Sequence, residues 1–144
     1  MRRSTATLAA AIALMAGAAL ATPAAESIGP AVNAVRAQGG LPAMAQDPRL
    51  MAAAQAYAET MAASGRFDHV GADGSTQITR AQAHGCRTRF VGEDIAGGQR
   101  TAQGAFESWM GSAMHRSNVV NPSYGAFGVG EAGGMWVIMF VDRC

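Results

Sequence analysis

After residue 20 this chain has no stretch long and apolar enough to cross a bilayer, which takes about 20 apolar residues. That excludes a transmembrane span from the body of the protein. An excess of charge of one sign is also missing. The 144 residues carry eleven Arg, no Lys, and ten Asp and Glu. With no basic excess to neutralise phosphates, nucleic acid is not an expected partner. The missing Lys reads as compositional drift toward Arg and Ala and carries no functional meaning. Cysteine is scarce: only Cys86 and Cys144 are present, too far apart for the paired spacing of a zinc site. No Gly-x-Ser-x-Gly elbow occurs, which argues against a serine hydrolase. Nothing repeats, and nothing is of low complexity beyond the N-terminal segment.

That segment has the three parts of a secretory signal peptide. Met1-Arg2-Arg3 is a positive start, and Leu8 to Leu20 is an apolar run. Ala19-Leu20-Ala21 is a small-residue cleavage site, with Thr22 to Ala24 as a second option. The alternative is an uncleaved membrane-anchoring helix. No Cys follows the run, so a lipid anchor there is not expected. Residues 1–21 are therefore expected to be a signal peptide and residues 22–144 a single domain in the periplasm or outside the cell. A domain of that size buries about two-thirds of its chain surface. Without Arg2 and Arg3 its net charge is −1 with His neutral. In an exported chain two Cys read as one disulfide, Cys86 to Cys144, worth about 2–4 kcal/mol. Two free thiols are the alternative.

Along the domain, Ala31 to Gln38 reads as helix, stopped by Gly39-Gly40. Asp47-Pro48 is a strong helix start, with Asp as cap and Pro at the first position. Leu50, Met51, Ala54, Tyr57, Ala58 and Met61 follow at three- and four-residue steps, one apolar face of a helix ending at Gly65. That stripe reads as core. Ser75 is the expected cap of a short helix running to His84. Arg87 to Ala96 reads as a strand weakened by Gly92. Thr101 caps a helix bearing Ala105, Phe106, Trp109 and Met110. Tyr124 to Ala132 and Met135 to Val141 form a hairpin around Gly133-Gly134. Helices first and a hairpin last suggest helices on a small antiparallel sheet.

Three blocks carry the chemistry: Phe67-Asp68-His69, Gly92-Glu93-Asp94-Ile95-Ala96, and Trp109 through Asn118 with Ser112 and His115 inside it. Each lies at the edge of a predicted element, where distant segments can meet around a pocket. Imidazole and carboxylate together can bind a metal or move a proton.

In order and spacing these blocks resemble the superfamily of cysteine-rich secretory proteins, antigen 5 and pathogenesis-related 1 proteins, and its short bacterial members most. The resemblance runs from about Val32 to Phe140. Val32-Asn33-Ala34-Val35-Arg36 and Asp47-Pro48-Arg49-Leu50 look like its first two helices. Arg80 and Gly85 fit the segment after the first pocket histidine. Gly92 to Ala96 is similar to the Gly-Glu-Asn-Ile-Ala signature, with Asp94 in place of Asn. Gly128-Val129-Gly130 and Trp136 to Phe140 match the closing strands.

The resemblance implies an α+β fold, an α-β-α sandwich with a three-stranded antiparallel sheet between helices. It implies a cleft with His69, Glu93 and His115 on three of four pocket positions. Ser112 stands at the fourth, where many eukaryotic members have Glu. His69, Glu93 and His115 are then candidate metal ligands, for zinc before magnesium because two imidazoles would ligate. The plainer reading makes both histidines hydrogen-bonded pocket residues, with Glu93 a structural acceptor and no ion. Ser112 and Asn118 read as local braces, and Asp94 as structural. His84 lies outside the matched blocks. Family members are linked to sterol and lipid binding, toxins and cell-wall contexts.

The expected function is a monomeric, exported, mainly non-enzymatic binding or cell-envelope protein. Its ligand is an unidentified lipid, envelope component or protein. The alternatives are a metal-dependent hydrolase using the same cleft, with Glu93 or a metal-bound water as base or nucleophile, and a lipid or sterol carrier. No catalytic residue is assigned.

Overall fold

The computed structural model describes residues 23–144; the expected signal peptide, residues 1–21, lies outside them. Among the described residues are five helices and four strands. Helix α1 is Pro23–Gln38, β1 is Ala45–Gln46, α2 is Pro48–Ser64 and α3 is Gln77–Ala83. Then come β2 (Gly92–Gly97), α4 (Ala102–Met110), α5 (Ala113–Val119), β3 (Ala126–Ala132) and β4 (Met135–Val141).

The sheet order is β1-β3-β4-β2. β3 and β4 form the expected hairpin, and β2 pairs antiparallel with the far side of β4. The expected three-stranded antiparallel sheet is thus a four-stranded mixed one, because β1 adds a two-residue parallel pairing to β3. Two residues leave no periodicity to read. Side chains alternate between the two faces. Val137, Met139 and Val141 join Leu50, Tyr57 and Met61 of α2 in one apolar cluster, with Ala81 of α3. Trp136, Ile138 and Phe140 join Ile28 and Val32 of α1, Trp109 of α4 and Val119 of α5 in the other. Helices therefore cover both faces.

Local chemistry sets the ends of the elements. Asp47 caps α2 by accepting the Arg49 N–H, with Pro48 in the first turn, and Gly65 ends it at φ 67°. Thr76, not Ser75, caps α3 through a reciprocal exchange with Thr79. Ser75 instead gives its carbonyl to Arg80. Helix α1 already includes the eight residues before its expected start and runs through Pro30. The proline ring lies on the exposed side while Ile28 and Val32 are buried beneath it. Burial of that stripe outweighs the break that Pro favours.

Gly92 starts β2 instead of weakening it. A Cβ there would sit 2.6 Å from the Tyr124 hydroxyl and 3.0 Å from Asn118 Oδ1. Gly128 and Gly130 let α2 lie directly on β3, since a Cβ on either would come within 2.3 Å of the α2 backbone. Cys86 and Cys144 are joined, closing a sequence separation of 58 residues. The bond ties the C-terminus beneath the segment that enters β2.

Candidate functional site

β2 is an edge strand, so the two helical layers approach each other beside it. From the α2–α3 side comes the loop carrying Phe67, Asp68 and His69. From the other side comes α5 with His115. Between them is an open cleft of about 470 Å³, lined by both imidazoles, Phe67, Ser108 and three consecutive β2 residues, Ile95, Ala96 and Gly97. Two histidines 46 positions apart in sequence thus share one cleft because a sheet edge separates their layers.

Glu93 lies behind His69. Its Oε1 accepts from Nδ1 of His69 at 2.8 Å, and its Oε2 accepts from Nη2 of Arg80 at 2.7 Å. The carboxylate is almost fully buried, whereas the His69 side chain is 49 % exposed. Nδ1 must donate to an ionised carboxylate, so Nε2 is the nitrogen left for the cleft.

Arg80 organises this side of the site. Nη1 donates to the Ser75 carbonyl, Nη2 also donates to the His69 carbonyl, and the guanidinium lies 3.4 Å over the Tyr57 ring. Tyr57 in turn donates its hydroxyl to the Asp68 carbonyl. Asp68 closes its own turn by accepting the Val70 N–H at 3.0 Å. Loop, strand and two helices are therefore fixed through one buried cation.

Ser112 is the N-cap of α5 and accepts the His115 N–H at 3.4 Å. It does not line the cleft, so the bracing role is the one the geometry gives it. The His115 ring is held below its ordinary pKa, first by burial and then by the nearby His69. At neutral pH it presents an uncharged imidazole.

Asp94 points to the opposite face. It is wholly buried, accepts from Asn118 Nδ2 at 2.7 Å through Oδ1, and leaves Oδ2 without a partner. Burial pushes its pKa up to about 7; the Asn118 hydrogen bond opposes this and the charge of Glu93 adds to it. His84 caps the C-terminal end of α3, away from the cleft.

Of the predicted site residues, then, His69 and His115 line the cleft, Glu93 supports His69 from below, and Ser112 caps a helix. Among the described residues no group of three or more His, Cys, Asp or Glu side chains is placed to hold a metal ion. Two imidazoles fall short of the three protein ligands common at catalytic zinc. Arg80, read only as part of a matched segment, and Tyr57, read as core, are partners to which the residue pattern gave no part in the site. A lone Arg followed thirteen residues later by Glu gives no periodic signal.

A small sheet between helical layers, with two histidines sharing a cleft at its open edge, defines an α+β cleft protein. The profile of the Cysteine-rich secretory protein family (CAP) matches residues 30–134, and the chain belongs to that family. It is 32 % identical over 113 residues to the Bacillus subtilis protein YkwD, covering 77 % of this chain and 44 % of that protein. The chain thus spans less than half the length of this curated relative. An extracellular SCP-domain protein from Bacillus anthracis superposes with a TM-score of 0.78 at 25 % identity, over 81 % of this chain and 39 % of that one. An outer surface protein of Borrelia burgdorferi shares the fold, with a TM-score of 0.73 at 17 % identity over 84 % of this chain and 93 % of that one. No helix among the described residues is long and apolar enough to cross a membrane.

Proposed function

We propose that this CAP domain is an exported, non-enzymatic recognition module whose ligand is held between His69 and His115. The observation that carries the reading is the state of Glu93. Both of its oxygens are engaged, one by His69 and one by Arg80, at 2.8 and 2.7 Å. A carboxylate held this way orients an imidazole and is not free to act as base or nucleophile. Ser112 is likewise committed to the α5 cap. Of the predicted site residues, a pair of imidazoles remains toward the cleft, one braced by a carboxylate and one kept neutral. Such groups recognise hydrogen-bonding ligands without needing to turn them over.

One observation favours a second reading. A carboxylate behind the far nitrogen of a histidine is the usual support of a metal-bound imidazole. Nε2 of His69 and the His115 ring would then hold zinc, with Glu93 as the outer partner; a bound zinc supplies a Lewis acid and an activated water. Calorimetric zinc titration at pH 5.5 and 7.5, beside His69→Ala and His115→Ala, separates the two. One-to-one binding that weakens at pH 5.5 and fails in both variants supports the metal site, since imidazole must be neutral to ligate. A peptide and ester panel tests the first reading directly. Turnover by the intact protein that disappears in both variants would refute a non-enzymatic role.

A further inference from the structure

We propose that the cleft takes an extended peptide segment of a partner protein, paired along the free edge of β2. This rests on reading the cleft as a recognition site, and it names the ligand class. The first observation is that Ile95, Ala96 and Gly97 all line the cleft. Successive side chains on a strand point to opposite faces. A cavity that touches three residues in a row therefore looks at the backbone edge and not at a face of the sheet.

The second observation fixes which backbone groups are aimed there. Gly98 donates its N–H to the Gly134 carbonyl directly opposite, at 2.9 Å. Hydrogen-bonded and non-bonded pairs alternate along an antiparallel ladder. With Ile95 opposite Val137 and Gly97 opposite Met135, both fall on non-bonded positions toward β4. Their N–H and C=O groups point outward, into the cleft. No backbone partner stands opposite them among the described residues. Two donors and two acceptors thus repeat at a two-residue interval, about 6.6 Å, the spacing of another strand.

A hydrocarbon ligand lying on this edge would leave four polar groups dry and unpaired, which is costly. A peptide backbone satisfies all four, the mode of strand addition. The walls suit the alternating side chains of such a guest. Phe67 is 53 % exposed, and its ring carbons lie 3.3 Å from where a Gly97 Cβ would be. It offers an apolar contact on the His69 side. Ser108 and His115 offer polar contacts on the other side. The ladder is short: the chain leaves the strand conformation at Gly98, φ 89°. Pairing is limited to a segment of a few residues, and side chains must supply selectivity.

Heptapeptide display against the oxidised mature protein supplies the probe, and amide exchange followed by NMR reads its binding. The expected result has period two. The Ile95 and Gly97 amides gain at least tenfold protection, while those of Asp94 and Ala96, already facing β4, do not change. N-methylation at alternate peptide residues weakens binding at least tenfold in one register and little in the other. Gly97→Pro removes the donor and weakens binding tenfold, whereas Gly97→Ala, which adds the same Cβ and keeps the N–H, does not. A selection that yields no binder, or a binder that leaves the Ile95 and Gly97 amides untouched, overturns the proposal. If such a binder still needs His69 and His115, the recognition cleft stands and only the edge pairing falls.

Discussion

Replacing Asp94 by Asn should stabilise the protein most at alkaline pH and little below pH 4. The Asp94 carboxyl is wholly buried, and burial pushes its pKa from 3.8 up to about 7. In the unfolded chain it ionises near 4. A raised carboxylate pKa means that the native state holds the proton more tightly than the unfolded state does. Below pH 4 both states are protonated and no penalty exists. Between pH 4 and 7 the unfolded state sheds its proton first, so stability falls as pH rises. Above pH 7 both are ionised and the full penalty stands. Three units at 1.36 kcal/mol each set it at about 4 kcal/mol.

Asn carries no charge at any pH and can keep the acceptor that Asn118 uses. Its amide group takes the place of Oδ2, which has no partner now, so an unpaired group remains in either protein. The absolute gain is therefore less informative than its pH dependence. Relative to the native chain, Asp94→Asn should gain about 2–3 kcal/mol between pH 5 and pH 8. In a domain of this size that is a rise of about 10 °C in relative melting temperature. Thermal unfolding of both proteins at half-unit pH steps reads it directly. Parallel curves from pH 5 to 8 would refute the reasoning, because they would show that Asp94 ionises normally in the folded state.

Arg80→Ala takes the only guanidinium from the buried Glu93, leaving it His69 alone, and should cost about 3–5 kcal/mol in denaturant unfolding; Arg80→Ala with Glu93→Gln should recover part of that loss, and a double variant as weak as the single would contradict the pairing. Gly130→Ala places a Cβ 2.2 Å from the Gln55 nitrogen, so overpacking should destabilise by about 1–3 kcal/mol, while Gly40→Ala, where a Cβ meets nothing within 4 Å, tests the separate cost of a positive φ. Cys86→Ser with Cys144→Ser should lower stability by about 2–4 kcal/mol without abolishing the fold, and alkylation with mass spectrometry of the oxidised native protein should find no free thiol.

The legibility of this chain follows the range over which each signal acts. Helix α2 was readable because cap, proline, stripe and terminal glycine all lie within nineteen residues. The β3–β4 hairpin was readable for the same reason, from two glycines between two strand-like runs. The histidine blocks stood out because imidazole is rare here, three residues in 144. Other features depend on contacts that no local window contains. Gly92 looks like a strand breaker until Tyr124 and Asn118 are brought against it. Pro30 looks like a boundary until Ile28 and Val32 are seen to bury the same stripe. Arg80 is only one residue of a matched segment until it lies over Tyr57 and against Glu93.

That last residue bears on how the site is supported. A buried Arg–Glu pair seldom adds net stability over a well-packed apolar pair. Arg80 nonetheless does what no apolar side chain could. It donates to the carbonyls of Ser75 and His69 and to the Glu93 carboxylate together. It thereby fixes the loop carrying His69 to the strand whose edge floors the cleft. Loss of Arg80 should therefore loosen the His69 loop before it unfolds the domain. A faster amide exchange confined to residues 67–70 in Arg80→Lys is the expected sign, since Lys keeps the charge but not the planar fork that reaches three acceptors. Uniform acceleration across the sheet would instead make Arg80 a stability element with no particular bearing on the cleft.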